Sequence, residues 1–109
     1  MIGMLLAAVL VPAPAAAADG WILPGEVWAR PRTGERVLGL APVQAAVAAL
    51  DRGPDRLLVI RYPGGEEGRL WAEELRDWLA ALGVPGRQVE LAPGTAQEGA
   101  LVLDVEGRR

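Results

Sequence analysis

Four consecutive apolar residues, Leu57–Leu58–Val59–Ile60, lead through Arg61–Tyr62 into the turn Pro63–Gly64–Gly65, and this segment constrains the fold more than any other. A run of this kind reads as a central strand, Leu57 to Tyr62, with at least partial burial of both faces. Directly after the turn, Glu66 and Glu67 open a long helix, where carboxylates meet the partial positive charge of the helix N-terminus. Trp71, Leu75, Trp78, Leu79 and Leu82 then recur at helical spacing and predict one face laid against the sheet. Gly83 suits the left-handed position past the helix end, and Pro85 prevents the helix from resuming.

The flanking segments supply the remaining elements. Trp21 to Gly25 reads as an irregular lead-in, Glu26 to Arg30 as a short strand, Pro31–Arg32–Thr33–Gly34 as a turn and Arg36 to Leu40 as a returning strand. Pro42 stands where a first helical residue can lack its amide hydrogen, and Val43, Ala46, Val47 and Leu50 carry a helix to about Asp51, closed by Gly53–Pro54. Gln88 to Ala92 alternates as a strand, as does the segment carrying Leu101, Leu103 and Val105. The loop Pro93 to Gly99 is expected to join these two as a hairpin. The expected fold is α/β of the α+β kind: a two-layer sandwich, a mixed sheet with both helices on one face, in the order β-(β)-α-β-α-β-β. With Leu58 and Ile60 facing the helices, Leu57 and Val59 would form an apolar strip on the opposite face, suited to docking or to a homodimer.

The chain's 109 residues fit one domain. The sequence divides into a signal peptide at 1–18, an N-terminal extension and hairpin at 19–34 and a small α/β domain at 35–109. Ile2 to Val11 is an apolar run interrupted only by Gly3, Pro12 and Pro14 break it, and Ala15 to Ala18 places small residues before Asp19, so cleavage after Ala18 satisfies an A-x-A pattern. No Arg or Lys precedes the run, which leaves the N-terminal amine as the only positive charge of the n-region. The apolar stretch falls short of the ~20 residues that span a bilayer, so no membrane span is expected after cleavage. The implied location is periplasmic or secreted.

Composition excludes much chemistry. The chain has no Lys, His, Cys, Ser, Asn or Phe, and its eleven basic residues are all Arg. Without Ser, Cys or His there is no catalytic triad, imidazole or thiolate, and Thr33 and Thr95 both fall in expected turns with no base nearby. Disulfides and thiolate zinc sites are out. The net charge of -3 argues against nucleic acid, whose binding draws on clustered positive charge. Gly64–Gly65–Glu66–Glu67–Gly68 lacks the Lys and Ser/Thr of a phosphate loop and sets two carboxylates where phosphate would sit. Glu66 and Glu67 are adjacent carboxylates, and their ordinary role is at the helix dipole. No metal and no cofactor are expected.

Two clusters could bind a partner. Trp28, Arg30 and Arg32 with Arg36 set an aromatic beside three guanidinium groups, suited to a carboxylate or phosphate; the plainer alternative is a solvated hairpin tip whose Trp packs at the core edge. Arg61 and Tyr62 lie at the carboxyl end of the central strand, a usual site position in α/β folds, or else Arg61 simply pairs with Glu90 or Asp104.

Leu57–Leu58–Val59–Ile60–Arg61–Tyr62, the glycine turn and Ala72 to Pro85 (AEELRDWLAALGVP) together resemble the middle of OmpA-like peptidoglycan-binding domains, over roughly Glu35 to Ala92. The resemblance implies an exported α/β module that holds the diaminopimelate of the cell wall with an Asp in the loop after the central strand and an Arg in the next helix. Neither residue has a counterpart: Trp71 stands where that Arg would fall, and Pro63 to Leu70 is too short for the Asp-bearing loop. The expected function is a non-catalytic periplasmic module that binds an envelope protein or an anionic cell-wall (peptidoglycan) component. The alternative is a small carboxylate-dependent hydrolase or lyase using Glu66, Glu67 and Tyr62. N-terminal sequencing of the protein recovered from the periplasm is expected to begin at Asp19–Gly20–Trp21; recovery in the cytosol with Met1 attached would refute export.

Overall fold

The strand expected around Leu57 runs from Arg56 to Tyr62 and lies inside a mixed sheet. The computed structural model describes residues 16–17, 20–30, 32–94 and 98–107; the leader's apolar run, the Ala18–Asp19 bond, Pro31 and Thr95 lie outside them. The strands are β1 (Ala16–Ala17), β2 (Gly20–Pro24), β3 (Arg56–Tyr62), β4 (Val89–Pro93) and β5 (Ala100–Gly107). The helices are α1 (Gly25–Trp28), α2 (Gly34–Gly39), α3 (Ala41–Leu50) and α4 (Glu66–Ala81), with a 3-10 turn at Gly86–Gln88 before β4. The fold is α+β, with sheet order β1-β2-β5-β3-β4.

The connection β3–α4–β4 is a crossover between adjacent parallel strands. β5 runs antiparallel to both of its neighbours, β2 and β3. The register sets Leu103 of β5 opposite Trp21 and Ile60, Leu101 opposite Leu23, and Val105 opposite Leu58. Because side chains alternate along a strand, these residues share one face with Val89 and Leu91 of β4. Residues of α3 (Val43, Ala46, Leu50) and of α4 (Ala72, Leu75, Leu79) belong to the same core cluster as Leu58, Ile60, Leu101 and Leu103. Both long helices therefore cover one face of the sheet, as the periodicity predicts.

Helix ends follow their local chemistry. Pro42 occupies the first turn of α3. At the end of α4 the Gly83 amide donates to the Ala80 carbonyl at 3.1 Å and the Val84 amide to the Leu79 carbonyl at 2.8 Å, the paired bonds that close a helix when the next residue turns left-handed. Gly83 does so, with φ +105°. The buried face of α4 is Gly68, Ala72, Leu75 and Leu79, while Trp71, Trp78 and Leu82 are only partly buried at its margins.

Four expectations are corrected. Glu26 to Arg30 and Arg36 to Leu40 are not a hairpin: α1 and α2 occupy this stretch, and the Thr33 hydroxyl caps α2 by accepting from the Arg36 amide at 3.1 Å. The lead-in Trp21 to Gly25 is instead largely strand β2, because Trp21 and Leu23 find partners on β5. Likewise β4 and β5 are not neighbours. α4 returns the chain parallel to β3 at the sheet edge, and β5 enters the gap between β2 and β3, where Ala100, Leu101, Val102 and Leu103 are all buried.

The fourth correction concerns the far face of the sheet. Val59 is only 1% exposed and Leu57 is half-buried, so they form no exposed apolar strip. The Arg61 guanidinium reaches Asp104 and Glu106 at 3.7 and 3.8 Å, which stand opposite Val59 and Leu57 in the register.

Gly25 and Gly68 mark close approaches. A Cβ on Gly25 would meet the Trp71 ring, and one on Gly68 would meet the Pro63 carbonyl, whereas Gly39 has open space around it. Gly25→Ala and Gly68→Ala are each expected to lower stability by about 1–3 kcal/mol through overpacking. Gly39→Ala should be neutral or stabilising by up to about 1 kcal/mol. Urea unfolding of the three variants reads the difference.

Candidate functional site

The segment from α1 to α2 is pinned down by two arginines. Trp28 ends α1 fully buried in the core, and the Arg32 guanidinium lies over its ring at 4.5 Å from the centroid. From there Arg32 Nη1 donates to the Trp28 carbonyl at 2.8 Å and Nη2 to Glu74 Oε2 on α4 at 2.6 Å. Arg36 reaches back from α2 and donates through Nη2 to the Val27 carbonyl at 2.7 Å. A planar guanidinium suits this work, since it stacks on an aromatic face while its fork spans two acceptors. Two buried donors, Trp28 Nε1 and Arg36 Nε, have no hydrogen-bond partner among the described residues, each a cost of about 1–3 kcal/mol that the surrounding packing must offset.

Arg32 thereby joins the α1–α2 segment to α4, and an open groove of about 600 Å³ lies along the junction. One wall is Ala29, Arg30 and Arg32; the other is Glu74, Asp77, Trp78 and Ala81, which fall at i, i+3, i+4 and i+7 on α4 and so form one continuous stripe. Arg32 and Glu74 are already paired with each other. Arg30 and Asp77 have no ion-pair partner among the described residues. What the groove offers is one guanidinium, one carboxylate and an aromatic surface flanked by the small side chains Ala29 and Ala81.

The residues singled out from the sequence therefore separate into different roles. Of the first cluster, Trp28 is core, Arg32 and Arg36 are engaged in the junction, and Arg30 alone presents an unengaged charge to the groove. The second cluster is not one site: Arg61 faces Asp104 and Glu106 on the far side of the sheet, while Tyr62, one residue on, packs against the core on the helix side. Glu66 and Glu67 are exposed on the first turn of α4. The opening beside Glu66 is bordered by Arg69, Leu70 and Glu73, neither Tyr62 nor Glu67 among them. Among the described residues no group of three or more acidic side chains could hold a metal ion, and no helix is long and apolar enough to cross a membrane.

Sequence reasoning missed Glu74, Asp77 and Trp78. Trp78 is read there as part of the sheet-facing stripe; the signal that could have moved it is the small pair Gly68 and Ala72, which pulls the buried face of α4 round and leaves Trp78 at its edge. Comparison with known proteins matches the chain to no family model, no curated protein and no solved structure.

Arg32→Ala removes a stacked cation, an ion pair and a bond to a carbonyl together. Both charged partners are partly buried, at 24% and 33% exposed, so a loss of about 1–2 kcal/mol is expected. A double-mutant cycle with Glu74→Gln, followed by urea unfolding, should return a coupling of about 0.5–1 kcal/mol that shrinks with added salt.

Proposed function

We propose that this protein is a non-catalytic module of the bacterial cell envelope that docks another protein through the groove between the 29–32 segment and α4. The observation that carries the reading is the pair of unengaged charges, Arg30 and Asp77, bordering the same groove as Trp78. An aromatic surface between opposite charges is the composition of a protein-docking patch: the ring supplies apolar area and the charges set orientation. The export-type leader and the resemblance of residues 35–92 to exported wall-binding modules support the compartment.

A protein partner fits better than an anionic polymer. α4 carries five carboxylates (Glu66, Glu67, Glu73, Glu74, Asp77) against two arginines (Arg69, Arg76), so the groove is flanked by a helix that repels a polyanion. Arg32 and Arg36, which would have made a strong anion site with Arg30, are held by Glu74 and by backbone carbonyls.

Affinity capture from the periplasm with the wild-type protein, Arg30→Ala, Trp78→Ala and an Arg52→Ala control outside the groove tests the reading. A co-purifying protein should fall by about tenfold or more with the first two variants, as for a truncated interface anchor, and stay with the control. Retention of wild type on isolated wall polymer, with no protein captured, would replace the protein partner by a polymer.

A further inference from the structure

We propose that the protein docked in this groove is a second copy of the same chain, forming a two-fold dimer; the inference rests on reading the groove as a docking site. Arg30 stands on one wall and Asp77 on the other, both exposed and neither ion-paired among the described residues. A polyanion answers only Arg30, and a polycation answers only Asp77. A surface that shows both signs across one groove is its own complement: a two-fold axis lying along the groove carries each Arg30 to the other copy's Asp77, twice per dimer. Ala29 and Ala81, the small residues of the two walls, leave room for the two copies to approach. Arg32 and Glu74 do not compete for these charges, because they already neutralise each other at 2.6 Å.

Sedimentation velocity of the purified full-length protein over a concentration series tests this, with circular dichroism confirming that each variant is folded. Wild type is expected to show a monomer–dimer equilibrium. Arg30→Asp or Asp77→Arg alone opposes like charges at both symmetric contacts and should raise the dimer Kd by about tenfold or more. The double variant Arg30→Asp/Asp77→Arg restores opposite signs and should dimerise as wild type does. A wild type that stays monomeric, single variants that dimerise unchanged, or a double variant that does not recover each overturn the proposal. A monomeric wild type that captures a different protein in an Arg30-dependent way overturns self-association while leaving the docking groove in place.

Discussion

The fold depends on the insertion of β5 between β2 and β3. Without it β2 and β3 run parallel but apart, with a gap in the hydrogen-bonded ladder. β5 fills the gap with backbone bonds on both sides and with Leu101 and Leu103, both fully buried, each worth about 1.5–3 kcal/mol by burial alone. These side chains also meet α3 and α4, so the last strand holds the sheet and both helices in one core. A chain without disulfides has no other device of comparable reach.

The arginines show how one residue type serves opposite ends. Arg32 and Arg36 are spent on structure: they satisfy carbonyls at the end of α1 and tie that segment to α4. Arg61 links β3 to the carboxylates of β5. Arg30, on the same short segment, has no ion-pair partner among the described residues, which no property of the residue itself predicts. The groove lies where the 29–32 segment between α1 and α2 faces α4, with Arg32 bridging to Glu74.

The parts of the fold legible in the sequence are those where local and global preferences agree. The run Leu57 to Ile60, the stripe on α4 with its Gly83 stop, and Pro42 opening α3 each specify an element from residues next to one another. Failures came where a segment's partner lies far along the chain. Gly20 to Pro24 has little strand alternation and becomes a strand because Leu101 and Leu103 lie waiting at the other end of the sequence. Glu26 to Leu40 alternates, yet with β2 occupying the ladder beside β5 the capped turns of α1 and α2 prevail.

The candidate site divides in the same way. From the sequence alone came the clustering of Trp28, Arg30, Arg32 and Arg36 along the chain and the lack of nucleophilic and imidazole chemistry. Only the folded chain decided which arginines are engaged, that Arg61 and Tyr62 face opposite sides of the sheet, and that Glu74, Asp77 and Trp78 complete a groove with Arg30. The physical reason is range: helical and strand periods act over a few neighbours, whereas strand order and the pairing of a charge depend on groups dozens of residues away that meet only once the core has formed.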